Sequence, residues 1–166
     1  MNNSKKVFIT GGTGSVGEKL IETCIENGYK VEFQYFNDDS KAIELEKKYN
    51  SKSYKIDFNT IYELPEENYD IIINNSGINI TDKLLHEVPY ESFLITQFIN
   101  IFAPFKICKK YLPEMIKRKW GRIVNINSIY GIVGVENNSP YNISKHAMSG
   151  LTKSIAKEYA QYGITC

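Results

Sequence analysis

Short apolar runs alternate along this chain with amphipathic segments of about ten or more residues, and that alternation constrains the fold more than any other feature. Val7-Phe8-Ile9 opens directly into Thr10-Gly11-Gly12-Thr13-Gly14-Ser15-Val16-Gly17, after which Leu20, Ile21, Cys24 and Ile25 recur at helical spacing. The order is strand, glycine turn, helix. Gly28 closes that helix, Val31 to Phe36 is β-branched and aromatic, and Asn37-Asp38-Asp39-Ser40 is a turn that offers an N-cap to a helix over Lys41–Tyr49. Ser53–Phe58 reads as a third strand, Pro65–Tyr69 as a polar connector, and Ile71-Ile72-Ile73 as a fourth strand ending at Asn74-Asn75-Ser76-Gly77. A long helical pattern from Tyr90 to Lys119 is broken by Pro104 and Pro113, and Ile123–Ile126 is a fifth strand. Ser139 can cap and Pro140 can open a last helix, which runs to Gly163 before Ile164-Thr165.

Strands that alternate with helices specify an α/β fold, a doubly wound parallel sheet in three α/β/α layers of Rossmann type. The 166 residues suffice for one domain over residues 1–166, with no linker or internal repeat to divide it. Ligands of such a sheet bind outside the carboxyl ends of its strands, so the loops at Gly11, Asn74 and Ser128 are expected to line one crevice.

Charge narrows the partners. Twenty Lys plus Arg face 19 Asp plus Glu, and Arg118 and Arg122 are the only arginines, a pattern that points away from nucleic acid and from a polybasic membrane contact. Cys24, Cys108 and Cys166 are far apart and show no CxxC spacing, which argues against a disulfide frame or a metal site and fits a reducing cytoplasm. After Met1-Asn2-Asn3-Ser4-Lys5-Lys6 the apolar run Val7-Phe8-Ile9 is too short for a signal-peptide core, and no run reaches the ~20 residues of a membrane span. A cytoplasmic protein with a small-molecule partner is the expectation.

The glycine turn would let backbone N–H groups approach a pyrophosphate and would aim a helix N-terminus at its charge, although its spacing, Gly11-x-x-Gly14-x-x-Gly17, is not the usual G-x-G-x-x-G. Tyr141 and Lys145 stand at i and i+4 on one helix face, where an ammonium can lower a phenol's pKa. Such a pair is common by chance. Ser128, at the end of the fifth strand and hence on the same rim, makes it informative.

These residues resemble the short-chain dehydrogenase/reductases, in particular the subgroup that includes the 3-oxoacyl carrier-protein reductases. The resemblance covers the whole chain: the turn Thr10–Gly17, Asp57, Asn74-Asn75-Ser76-Gly77 where the family usually has N-N-A-G, Asn100, Gly121–Ser128, and Tyr141-Asn142-Ile143-Ser144-Lys145 as the Y-x-x-x-K signature. It implies an NAD(P)H-dependent oxidoreductase moving hydride between nicotinamide and a carbonyl or secondary alcohol, with a 3-oxoacyl thioester, free or carrier-protein-bound, as one such substrate. Tyr141 would be the general acid, Ser128 would hold the substrate oxygen, Lys145 would depress the Tyr141 pKa and hold the nicotinamide ribose, and Asn100 would position a water leading from Lys145 to solvent. Gly11, Thr13, Ser15, Val16, Gly17, Tyr35, Asp57, Phe58, Asn74, Ser76 and Gly77 would hold the cofactor together with Tyr141 and Lys145.

Tyr35 occupies the family's acid slot at the end of the second strand, which leans toward NADP(H) over NAD(H), although no arginine stands by and Asp38 could serve as the ribose acid instead. The family also pairs its long helices, here through Phe98, Ile101 and Phe105 and through Ala147, Leu151 and Ile155, implying a homodimer or homotetramer. Two departures open alternatives. Ser15 stands where a small Gly or Ala is usual and the glycine spacing resembles the sugar-nucleotide branch of the superfamily, which suggests an epimerase or dehydratase. Family members also continue beyond Ile164-Thr165 through two final strands and a substrate lid, so a nucleotide-binding module with impaired catalysis is the other alternative.

Overall fold

The computed structural model describes residues 4–166; Met1–Asn3, where the reading of the N-terminus as leaderless begins, lie outside the described residues. Six parallel strands, β1 (Lys6–Ile9), β2 (Lys30–Tyr35), β3 (Lys52–Lys55), β4 (Ile71–Asn74), β5 (Gly121–Asn125) and β6 (Ile164–Thr165), form one sheet in the order β3-β2-β1-β4-β5-β6. The helices are α1 (Ser15–Glu26), α2 (Asp39–Tyr49), α3 (Tyr90–Gln97), α4 (Ala103–Arg118) and α5 (Ser139–Tyr159). This is the expected doubly wound plan. Ile164-Thr165, beyond which two final strands are expected, already pairs with Gly121-Arg122 as the sixth strand.

Strand residues point alternately to the two faces, and both faces are covered. Val7 and Ile9 of β1 pack with Val31, Phe33 and Ile73 under α1 and α2. Phe8 points the other way, to Ile72, Ile107, Tyr111, Met115 and Ile155 beneath α4 and α5. Its ring stacks on Tyr69 at 4.9 Å between centroids, and Tyr111 meets Tyr69 edge-on at 5.1 Å. The apolar runs are therefore continuous because neither face of the sheet meets water.

Three of the boundaries that differ from expectation have a local reason. The third strand ends at Lys55 rather than Phe58: Ile56 N–H still reaches the Tyr35 carbonyl, but the Asp57 carboxylate accepts from Asn59 N–H and turns the chain away. Asn138, not Ser139, is the cap residue of α5. The proline-broken helix is unbroken: α3 passes into α4 through a π turn over Phe98–Phe102. Pro104 supplies no N–H to the carbonyl four residues back, that of Asn100, and the helix widens there instead of ending. Pro113 lies on the exposed side, and the carbonyl it leaves without a donor belongs to exposed Lys109.

Candidate active site

β1 and β4 are neighbours although β2 and β3 come between them in the chain, so the winding direction reverses there and a cleft opens past their carboxyl ends. Its volume is about 550 Å³, and its walls come from the glycine turn, the ends of β2 and β3, the loop after β4, and the start of α5.

The glycine turn is set by close packing. Gly11 has φ +68°, a β-carbon on Gly12 would lie 2.3 Å from the Phe33 ring, and one on Gly17 would lie 2.0 Å from the Gly11 carbonyl oxygen. Gly14 has ordinary room, with its nearest such neighbour at 3.4 Å. It is also the N-cap of α1 and brings no capping side chain, so the first-turn N–H groups of α1 have no side-chain acceptor. An anion at this helix start is favoured by those donors and by the helix dipole. These features fit the pyrophosphate of a dinucleotide.

The turn is tied to its neighbours by polar side chains. Thr10 Oγ1 accepts from the N–H groups of Asn75 and Ser76 at 3.0 and 2.9 Å, and Asn75 Nδ2 donates to the Thr10 carbonyl at 2.9 Å. Gln34, only 2% exposed, joins the same knot through its amide.

At the other end of the cleft Tyr141 and Lys145 lie in the first turns of α5. Lys145 is 4% exposed, its Nζ donates to the Ile126 carbonyl at 2.9 Å, and it sits 5.5 Å from the centre of the Tyr141 ring. Burial holds the Lys145 pKa below the usual lysine range. Gly77 faces it: a β-carbon there would be 3.6 Å from both Lys145 Nζ and Asn100 Oδ1. Tyr130 packs edge-on against Tyr141 with centroids 5.6 Å apart. Ser128 caps the short turn that carries Tyr130, its Oγ accepting from Tyr130 N–H at 3.3 Å.

Most of the residues expected at the cofactor line this cleft: Gly11, Thr13, Ser15, Val16, Gly17, Asp57, Phe58, Ser76, Gly77, Tyr141 and Lys145. Phe58 and Asp57 also serve the fold, Phe58 in the core and Asp57 as a turn acceptor. Two side chains do not reach it. Asn74 is 1% exposed and donates to Asn125 Oδ1 at 2.8 Å inside the sheet, because the last residue of β4 points into the layer beneath α4. Tyr35 packs beside α2 and donates its hydroxyl to Asp39 at 2.9 Å. Asn100 is fully buried and its amide bonds within the protein: Oδ1 accepts from Ile78 N–H at 2.8 Å, while Nδ2 donates to the Ile78 carbonyl and Ser144 Oγ at 2.9 and 3.0 Å. Its side chain therefore ties the Ile78 backbone to Ser144 of α5. Phe36, Asn37 and Asn127 line the cleft without having been singled out, and so does Gln34. The available signal for Gln34 was a polar residue inside the apolar run Val31–Phe36. Among the described residues no helix is long and apolar enough to cross a membrane.

A family model described as short chain dehydrogenase matches residues 5–166. The chain is 32% identical over 170 residues to the 3-oxoacyl-acyl-carrier-protein reductase of Aquifex aeolicus, covering 94% of this chain and 68% of that protein. Among solved structures, ElxO with NADP bound is 31% identical with a TM-score of 0.85, covering 97% of this chain and 70% of that one. The 4-hydroxyisoleucine dehydrogenase complexed with NADH is 26% identical with a TM-score of 0.87 and the same two coverages, 97% and 70%. The chain thus spans about two thirds of the length of these proteins.

Proposed function

The chain belongs to the short-chain dehydrogenase family of oxidoreductases, and on that premise we propose that it binds a nicotinamide dinucleotide and interconverts a carbonyl and its alcohol, with Tyr141 as the proton donor. The observation that carries the reading is the buried Lys145 ammonium, set between the Ile126 carbonyl, the Tyr141 ring and Gly77 at the end of a cleft whose other end is the glycine turn. A buried cation with no carboxylate partner is costly to a fold and is characteristic of functional positions.

When bound, the nicotinamide supplies or accepts the hydride. Tyr141 gives its hydroxyl proton to the substrate oxygen in reduction, and Ser128 donates a hydrogen bond to that oxygen as negative charge develops. Lys145 favours the phenolate that remains and holds the ribose hydroxyls. The Asn100 side chain fixes the Ile78 backbone and Ser144, whose Oγ in turn donates to the Tyr141 carbonyl at 2.8 Å. The Asn100 main-chain carbonyl, which Pro104 cannot engage, accepts the water that links Lys145 to solvent.

For the cofactor we favour NADP(H). Tyr35 puts no charge at the end of β2, the Asp39 carboxylate is held by Lys55 at 2.7 Å, and Asp38 Oδ1 caps α2 through Lys41 N–H at 2.9 Å, so both acids of this turn already serve to hold α2 and β3. The Aquifex relative, by its name a 3-oxoacyl-acyl-carrier-protein reductase, favours a 3-oxoacyl thioester as the substrate, and fatty acid biosynthesis in the cytoplasm is the setting we propose for it. The test is oxidation of NADPH and of NADH, at equal concentration, against a panel of carbonyl compounds that includes 3-oxoacyl thioesters. Clear preference for NADH would overturn the cofactor assignment, and no oxidation of either would overturn the activity.

A homodimer is the assembly we propose, through the face where Phe98, Phe102 and Phe105 are exposed and a groove runs between α4 and α5. Ile155 of the α5 stripe is instead committed to the core. Sedimentation is expected to give twice the 19.1 kDa chain mass, and Phe105→Glu to return the mass to one chain.

A further inference from the structure

We propose that Gln34 is a positioning residue for the cofactor: one buried amide that holds the glycine turn, the end of β3 and the loop after β4 in the spacing a dinucleotide requires. The inference rests on the dinucleotide reading above and concerns a residue to which that reading gives no part. Gln34 Oε1 accepts from Gly11 N–H at 2.9 Å and from Ser76 Oγ at 3.1 Å, while Nε2 donates to the Ile56 carbonyl at 2.6 Å. Those three partners lie on three separate wall segments of the cleft, and Gln34 itself lines it.

The orientation of the amide follows from its partners. The Ile56 carbonyl can only accept and the Gly11 N–H can only donate, so the group between them must accept at one end and donate at the other. An amide does this without charge. A carboxylate cannot donate, and an aliphatic side chain can do neither. The Gln34 main chain is held as well: the Gly12 N–H donates to the Gln34 carbonyl at 2.8 Å, which fixes the chain on which the side chain is mounted. Since Gly11 is in the left-handed region and the Gly17 packing leaves no slack against its carbonyl, release of the Gly11 N–H lets the pyrophosphate site open.

Gln34→Glu separates this role from mere packing. Protonated, the acid reproduces the pattern, its carbonyl accepting from Gly11 and Ser76 and its hydroxyl donating to Ile56. Ionised, it turns an oxygen with no proton on the Ile56 carbonyl. Cofactor affinity is measured by fluorescence titration with whichever of NADPH and NADH the unaltered chain binds more tightly. It is expressed as the ratio to the unaltered chain at each pH, so that titration of Asp57, Tyr141 and Lys145 on the same cleft cancels. Gln34→Glu is expected to bind about 30-fold more weakly at pH 8 and to recover to within about threefold at pH 5.5, and Gln34→Met to bind about 10-fold more weakly at both. A Gln34→Glu ratio that stays flat with pH overturns the inference, as does a Gln34→Met affinity within twofold of the unaltered chain. The Gln34→Met result decides alone if Gln34→Glu does not fold at pH 8. Binding of neither cofactor by the unaltered chain would remove the dinucleotide reading itself, which is a different outcome.

Discussion

Tyr141→Phe is expected to lower carbonyl reduction by about a thousandfold while leaving cofactor affinity within about twofold, because a positioned general acid contributes roughly 10² to 10⁴ in rate and little to ground-state binding. The substitution removes one oxygen and keeps the ring. The edge-on contact with Tyr130 survives, as does the backbone bond from Ser144 Oγ to the residue's carbonyl. The melting temperature should therefore move by no more than about 2 °C, since a 1 kcal/mol change shifts a domain of this size by about that much or a little more. Steady-state oxidation of the reduced cofactor measures the rate, and fluorescence titration measures the affinity. Turnover within threefold of the unaltered chain would show that the proton comes from elsewhere, and Ser128 would be the next hydroxyl to test.

What could be read in the sequence was whatever depends on near neighbours along the chain. Gly11–Gly17 follows an apolar run and precedes a helical pattern, so strand, turn and helix are legible together, and so is their use for a pyrophosphate. Tyr141 and Lys145 share a face because they are one helical turn apart. Asn74 and Tyr35 were harder, because a strand-end side chain turns toward the ligand or into the layer according to the register of the neighbouring strand. Asn74 pairs in register with Asn125 of β5, and the two amides bond to each other. Gln34 escaped for a related reason: its three partners are 22 to 42 residues away in the chain, and none announces that it needs an amide. Pro104 was misread as a helix breaker because its cost depends on what becomes of one carbonyl, and a π turn absorbs it.

Lys145→Met is expected to abolish most of the turnover and, at neutral pH, to make the protein more stable. The Lys145 side chain is 4% exposed, so almost no solvent touches the ammonium. Among the described residues no carboxylate pairs with it, and the Ile126 carbonyl is the one acceptor it meets. Its folded pKa lies below the ordinary 10.5, so the unfolded chain binds this proton more tightly. Below the folded pKa both states are protonated and the cost of burying the ammonium is present in full. As pH rises from the folded pKa toward 10.5 the folded chain releases the proton first, and the cost fades. Methionine has similar length and no charge, so its advantage over lysine should be greatest near pH 7 and shrink as pH approaches 10. Against it stands the Ile126 carbonyl left without its donor, about 1 kcal/mol. Each 1 kcal/mol of net gain would raise the melting temperature at pH 7 by about 2 to 4 °C. Melts at pH 7 and pH 10 check the sign: a variant that melts lower than the unaltered chain by the same margin at both would mean that the ammonium is not costly to the fold. A rise at pH 7 that narrows at pH 10, together with lost turnover, would mean that the chain keeps a destabilising cation at this position because the chemistry at Tyr141 requires it.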